Sequence, residues 1–573
     1  MKFIERVFPI TTWLPNYKRE QLNGDLFAGL TVGVMLIPQG MAYALIAGLP
    51  PVYGLYASIV PQIVYAIFGT SRQLSVAPVA MDSLLVAAGV SVLAAEGTDA
   101  YIGFAILLAF FMGIFQLLLG SLRLGFITNL LSKPVISGFT SAAALIIGLN
   151  QLKYLLGIDL VRSNKIYEIL WNAIQQVNQT HLVTLLIGIA GIVIIKGVKK
   201  IHQGIPGALM AVIFGTILVY FTQLDQSGVS ILKTIPEGLP SFKLPNLSLG
   251  KLGELIPLAL TISIVAFMES FSVAKAIEAK KRNYKVVPNQ ELIALGAANL
   301  VGSLFQSYPV TGGFSRSAVN YQSGAHTPLS SIISAALIAI TLLFLTPLFY
   351  FLPKAILASV IMVAVAGLID WSYAKQLWND SKVEFLLLLA TFMVTLNFSM
   401  VPGIVTGIVL SILILLYKAA YPHLAKLGRV KDHHEFRNIT RFKDLEVWDN
   451  MLIIRLDAPL TFINIQFFKE YIENTVHESD GKINTIILDA GPISYLDATA
   501  SQGMKDLLSF LKEKEIKFLI CDVIGPVRDT LHQTGLIDII EKENVFLDLN
   551  ESVRFATTNH PGRYKDYALQ SNL

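Results

Sequence analysis

Apolar runs close to the roughly 20 residues that a helix needs to cross a bilayer core recur from residue 25 to residue 420, and then stop. They divide into up to fourteen segments centred near residues 35, 60, 87, 110, 138, 188, 213, 264, 296, 317, 337, 360, 390 and 410. The third and the tenth are short and interrupted by Gly, Pro and Ser, which a spanning helix tolerates only where protein surrounds the break. From Met451 the period changes to short apolar strands, LIIRLD, TIILDA, KFLICDV and VFLDL. Between them lie helical stretches around Phe467 to Glu478, from Thr499 to Lys514 and after Pro526, so the tail reads as a small α/β layer domain. The division expected is a transmembrane domain over residues 1–425 and a cytoplasmic tail domain over 436–560.

Composition agrees with two solvents. Residues 1–420 hold 26 basic and 17 acidic side chains, whereas the much shorter stretch 421–573 holds 18 and 23. The chain as a whole is 54% hydrophobic, with a mean hydropathy of +0.60, values that describe an integral membrane protein. The net charge of +4 splits into +9 on the membrane part and −5 on the tail, so it reports membrane-flanking Lys and Arg and gives no support for nucleic-acid binding. With both termini in the cytoplasm, Lys2, Arg6, Lys18, Arg19, Arg72, Arg123, Lys196, Lys199, Lys200, Lys280, Lys281, Arg282, Lys285, Lys375 and Lys382 fall on the inside. The first twenty residues contain no apolar core of a cleavable signal peptide. Cys521 is the single cysteine, which excludes intramolecular disulfides and a Cys-rich zinc site. No metal or cofactor is expected, and the chain contains no GxxxxGK[ST], HExxH or GxSxG arrangement that would speak for an enzyme.

The two halves of the membrane part echo one another. Gly24-Asp25-Leu26 and Gly253-Glu254-Leu255 lie 229 residues apart, Pro78 and Pro309 lie 231 apart, and Leu131-Ser132-Lys133-Pro134 meets Leu352-Pro353-Lys354 at 221. Seven helices per repeat require the second copy to enter the membrane upside down. Inverted repeats with interrupted segments in matching positions point to a secondary transporter whose substrate binds at the breaks. If Leu74 to Pro78 and Ser307 to Thr311 are extended, two helix N-termini face one another. Their free amides, expected on Val79, Ala80 and Met81 and on Gly313, Phe314 and Ser315, suit an anion. Arg316 falls in the first turn of the second half-helix, where a guanidinium needs a cavity and a negative partner. Asp25 and Glu254, at two helix starts, read as caps.

The stretches Ile37 to Ala42 (IPQGMA), Ile46 to Ser58 (IAGLPPVYGLYAS), Val64 to Ala80 (VYAIFGTSRQLSVAPVA) and Gly312 to Ala325 (GGFSRSAVNYQSGA) resemble the SulP, or solute carrier 26, family of anion transporters. The resemblance runs over essentially the whole chain and is closest to the plant-type and bacterial sulfate transporters. It implies a fold of seven plus seven transmembrane helices in core and gate domains, an elevator-like movement, a cytoplasmic STAS domain and a homodimer. Carried over by residue, it implies an anion site at Gln39 and Tyr43, at the backbone of Val79, Ala80 and Met81, and at Phe314, Ser315 and Arg316, with Glu269 coupling protons. Gln39 reads equally as a bond to a neighbouring helix, and Tyr43 as packing. Asp82 departs from the plant pattern, which is aliphatic there. It reads as a favourable acid in a first helical turn or as a second titratable or cation-binding group.

In the tail, Leu488-Asp489 and Tyr495 to Ala500 resemble a STAS domain, and Thr499 matches the position of a phosphorylated serine in bacterial relatives of that fold. A hydroxyl there is first of all a helix cap. The leading expectation is proton-coupled sulfate uptake. Its rivals are a bicarbonate or chloride transporter, possibly linked to sodium through Asp82, and a membrane sensor or scaffold signalling through the STAS domain. A bacterial inner membrane is the expected location.

Overall fold

The computed structural model describes residues 5, 7–126, 132–160, 163, 165–201, 206–234, 236–247, 250–398 and 400–558. Leu131 of the third echo and residues 559–560, the end of the expected tail domain, lie outside them. The chain forms two compact units, Met1–Ser411 and Ile412–Leu573.

The first unit is helical. Its first half runs α1 (Arg19–Ile46), α2 (Pro51–Phe68), β1 (Val76–Ala77), α3 (Ala80–Val90), α4 (Asp99–Ser121), α5 (Lys133–Asn150), α6 (Leu182–Ile201) and α7 (Gly207–Thr222). The second half repeats the order with α8 (Leu252–Lys281), α9 (Pro288–Ser303), β2 (Thr311–Gly312), α10 (Phe314–Gln322), α11 (Leu329–Ile340), α12 (Lys354–Ala366), α13 (Lys382–Asn397) and α14 (Met400–Ala420). The sequence of two helices, a strand with a half-helix, and four more helices occurs twice, which is the expected seven plus seven arrangement. Helices α5 and α12 begin at Lys133 and Lys354, the residues of the third echo. A helix of about 20 residues is needed to span alone, and α3 and α10 fall well short at 11 and 9 residues. They are the two breaks.

The helices sort into two groups by packing. In one, α4 packs on α8 and α9, α2 on α9 and α11, and α1 on α2, α10 and α11. In the other, α5 packs on α12 and α13, and α6 on α7 and α12. Gly407 of α14 faces Val135 of α5 and Thr391 of α13, which places α14 in the second group. Contact between α4 and α9 rests on small residues, since a Cβ on Gly113 or Gly296 would run into the other helix's backbone. Helices α1 and α2 approach more closely still: a side chain on Gly54 would occupy the space of the Gly40 carbonyl.

Two short helices were not among the segments expected from hydropathy. Ile166–Gln176 lies between α5 and α6, and Trp371–Asp380 between α12 and α13, the same place in each half. Both bear exposed tryptophans, Trp171 and Trp371, as suits helices at a membrane–water boundary.

The second unit carries a sheet of strand order β4-β3-β6-β7-β8-β9, with β5 also paired to β3. Strands β3 (Leu424–Val430), β4 (Phe436–Asn438) and β5 (Leu445–Glu446) precede β6 (Met451–Leu456), β7 (Thr485–Asp489), β8 (Lys517–Cys521) and β9 (Val545–Phe546). Strands β6 to β9 run parallel, joined by α15 (Ile465–Glu478), α16 (Ala498–Glu513) and α17 (Gly525–Gln533) with α18 (Leu536–Ile540). The expected boundaries need correcting at the amino-terminal side. Leu424 pairs antiparallel with Leu456, so the sheet begins before residue 436.

Gly54→Val should wedge α1 from α2 at the contact beside Gln39. Overpacking of this kind costs about 1–3 kcal/mol, and a lowered melting temperature in detergent, larger than that of Gly253→Val where an added Cβ meets nothing, is the expected result.

Candidate functional site

Strands β1 and β2 are the extended segments expected at the two breaks, and they pair antiparallel, Val76 with Gly312 and Ala77 with Thr311. Each break therefore satisfies the other's backbone groups inside the protein, as a broken span requires. Helix α3 starts after Val79 and α10 after Gly313, and neither N-cap side chain closes its helix. The first intrahelical bonds run from Ser83 to the Val79 carbonyl and from Ser317 to the Gly313 carbonyl. The amides preceding them are those of Ala80, Met81 and Asp82 and of Phe314, Ser315 and Arg316. The N-cap amide of Val79 joins the first set, and of the expected donors one is already engaged. The Gly313 amide bonds the Ser75 carbonyl at 3.1 Å and is not free.

Arg316 crosses from one break to the other. Its Nη1 donates to the Pro78 carbonyl at 2.8 Å and its Nη2 to the Ala77 carbonyl at 3.1 Å, and the side chain is 2% exposed. Both acceptors are neutral, and Nε has no partner. Among the described residues no carboxylate forms an ion pair with it, so two helix starts and one guanidinium present positive charge that no direct hydrogen-bonded anion takes up.

Other helices supply the surrounding groups. Gln39 and Tyr43, one turn apart on α1, are buried, and Gln39 Oε1 has no hydrogen-bond partner. Glu269 on α8 lies within electrostatic reach of Arg316, Tyr43 and Asp82. Its Oε2 is buried and unpartnered. Lys275, a possible partner by sequence, pairs with Glu278 at 2.6 Å instead. Asp82, in the first turn of α3, is fully buried with both oxygens unpartnered. Val79, Ala80 and Met81 are buried, whereas the side chains of Phe314 and Ser315 are exposed, so these last two offer the site their backbone.

Reading the chain by motif did not pick out the residues that hold these pieces in place. Asn299 on α9 donates to the Val310 carbonyl at 3.0 Å and accepts from the Val310 amide at 2.9 Å, gripping the lead-in to β2. Ser270 Oγ on α8 accepts from the Gly312 amide at 2.7 Å. Ser317 and Asn320, on one face of α10, bond the Ser75 amide and the Gln73 carbonyl, each at 3.0 Å. The available signal was a lone polar residue inside an apolar span, as at Asn299.

Asp25 and Glu291 are buried acids of another kind. Asp25 does not cap its own helix. It accepts from the amides of His326 (2.6 Å) and Thr327 (3.0 Å) and from the hydroxyls of Thr327 and Tyr17, fastening α1 to the turn before α11. Glu291 accepts from the Tyr65 and Thr70 hydroxyls and from the Thr70 and Ser71 amides. Glu254 lies exposed in the first turn of α8, where a negative charge suits the helix dipole.

In the second unit the cap of α16 is Asp497, whose Oδ1 accepts from the Ala500 amide at 2.7 Å, so Thr499 is an exposed first-turn residue and not the cap. Asp489, Cys521 and Asp522 converge within 4.8 Å. Burial pushes the Cys521 thiol up, Asp489 and Asp522 push it further, and a thiol so held is a poor metal ligand.

Residues 22–391 match the family model described as the sulfate permease family, and residues 443–552 match the STAS domain. The chloroplastic sulfate transporter 4.1 of Arabidopsis thaliana is 38% identical over 571 residues, covering 96% of this chain and 83% of the relative. The high affinity sulfate transporter 2 of Stylosanthes hamata is 33% identical over 571 residues, covering 96% and 86%. Among solved structures, the murine solute carrier 26 family member A9 anion transporter in the inward-facing state superposes with a TM-score of 0.90 at 25% identity, covering 97% of this chain and 95% of that one. The transmembrane domain of a cyanobacterial bicarbonate transporter, BicA, superposes with a TM-score of 0.61 at 24% identity over 68% of this chain and 98% of that one, a likeness of fold alone. The sequence relatives are plant proteins, so the expected bacterial inner membrane draws no support from them.

Asn299→Leu would leave the Val310 amide and carbonyl without the partners they have here. A buried orphaned polar group costs about 1–3 kcal/mol, so the variant should melt earlier in detergent than Asn397→Leu at an exposed position.

Proposed function

The chain belongs to the sulfate permease family, and from that premise we propose that it is a secondary active transporter that takes up sulfate together with protons. The single observation that carries the reading is Arg316, buried between two helix N-termini and bonded only to neutral carbonyls. A tetrahedral oxyanion replaces its hydration there with backbone amides of both helix starts and a guanidinium, each a charge-matched donor. The names of the plant relatives supply sulfate as the anion. The family and the named relatives speak for a transporter and not an enzyme.

Movement follows from the packing. The site is built entirely on the first helical group, α1 to α4 with α8 to α11, so that group can carry it past the second as one body, an elevator-type cycle. Both termini lie in the cytoplasm on the distribution of basic loops, and the protein works as a homodimer, as the family resemblance implies.

Glu269 couples the proton. Arg316 and the two helix starts together match the charge of a sulfate dianion, so an ionised Glu269 in the same dry cavity would leave negative charge in excess. Sulfate binding therefore draws a proton onto the carboxyl, and by reciprocity a proton tightens sulfate.

Radiolabelled sulfate uptake by the full chain in proteoliposomes tests the reading. Arg316→Ala removes a charge-assisted donor worth about 1.5–3 kcal/mol, so sulfate affinity should fall at least about tenfold with the protein still folded. Wild-type affinity in that variant would sink the assignment. Glu269→Gln imitates the protonated carboxyl. It should keep sulfate counterflow, and accumulation driven by a tenfold inward proton gradient should fall roughly tenfold, the share of one proton. Unchanged accumulation would remove Glu269 from the coupling.

A further inference from the structure

Asp82 is the site carboxylate to which the cycle above gives no task. It is fully buried, and neither oxygen meets a donor, whereas Asp25 and Glu291, equally buried, each accept bonds on both oxygens. A carboxylate held for structure alone is expected to be satisfied as those two are. Two groups face Asp82 among the described residues: α8 brings Glu269, and the lead-in to β2 brings Tyr308, whose hydroxyl lies 3.2 Å from Ser83 Oγ. Tyr43 of α1 and Arg316 of α10 stand on the far side of these two, within reach of both. Helices α4 and α5, which also pack on α3, carry charge only at their first residues, Asp99 and Lys133. The fixed charges at this level are thus one guanidinium and two carboxyls.

Their sum is informative. Arg316 contributes one positive charge, and each of the two facing helix starts contributes about half of one, for a total near two. Sulfate brings two negative charges. So do Glu269 and Asp82 when both are ionised.

We infer that Asp82 is a second proton carrier, and that the two carboxylates and the sulfate dianion take turns neutralising the same positive site. The inference rests on proton-coupled sulfate transport and adds its stoichiometry. As sulfate enters, one proton bonds to an oxygen of Glu269 and another to an oxygen of Asp82, both drawn from the side of the membrane that supplied the sulfate. When sulfate leaves, both protons leave with it, and the empty site returns with both carboxylates ionised. The loaded site, with sulfate and two neutral carboxyls, and the empty site, with two carboxylates, carry the same charge across in opposite directions, so a complete cycle is electroneutral. A protein with an aliphatic residue at this position would have only Glu269 to exchange, and each sulfate would carry one net negative charge across.

The experiment is sulfate accumulation by the full chain in proteoliposomes, under an imposed pH gradient and with the membrane potential clamped by potassium and valinomycin. For the wild type, a tenfold proton gradient should drive roughly hundredfold accumulation, unaltered by an inside-negative potential. Asp82→Asn should follow the first power of the proton ratio, and the same potential should depress its accumulation at least about tenfold. Asp82→Val repeats the test with an apolar side chain, and sulfate counterflow, which needs no gradient, reports that each variant is folded and cycling. A first-power dependence in the wild type, together with unchanged potential sensitivity in Asp82→Asn, would overturn the inference and leave Glu269 as sole carrier. Accumulation that ignores the pH gradient and requires sodium would overturn proton coupling itself.

Discussion

The structure depends on how two interrupted spans repair each other. A span that breaks inside a membrane exposes backbone groups that lipid cannot satisfy, and each such group costs several kcal/mol. Here the β1 and β2 segments pair with one another, and the Arg316 guanidinium takes up the carbonyls of Ala77 and Pro78 at the point where the first break ends. The same guanidinium that closes the backbone account also brings an uncompensated charge to the facing ends of α3 and α10. Stability of the break and attraction of an anion are consequently properties of one side chain.

Buried polar residues of the membrane unit divide by whether their bonds are complete. Asp25 and Glu291 tie segments that lie far apart in the chain, and every oxygen they carry is occupied. Asn299, Ser270, Ser317 and Asn320 grip the backbone on both sides of the crossing. Such networks fix a geometry because breaking one member strands the others. Gln39, Asp82, Glu269 and Arg316 each retain an unpartnered atom, and these are the groups gathered about the half-helix starts. Bonded polar contacts hold the frame, and the unpartnered atoms of these four groups are the ones that a ligand and protons can meet at the half-helix starts.

In the second unit the parallel strands β6, β7 and β8 sit between helices, and their near-continuous apolar character reflects burial on both faces. The antiparallel β3 extends that sheet from the residues that follow α14 directly. A cut placed by the strand and helix rhythm alone would remove the sheet's partner for β6.

Much of this was legible in the sequence. Spans, breaks, the inverted repeat, the helix starts at Val79 and Gly313 and the parallel strands of the tail all follow from local periodicity, from proline and glycine placement, and from the switch between two solvents. Arg316 stood out because a charge inside an apolar span is costly and so conspicuous, whereas Glu269 was named by the family resemblance. Partners were not legible, because they are set by contacts across hundreds of residues. Asp25 looked like the cap of its own helix, yet the amide it bonds at Thr327 is 302 positions away. The Gly313 amide looked free until β1 came alongside it and Ser75 took it. Strand β3 carries too weak an alternation to be seen alone, and only pairing with β6 makes it a strand. Asp82 was ambiguous for the same reason: a first-turn acid is ordinary in sequence, and only the packed structure decides that no donor reaches it.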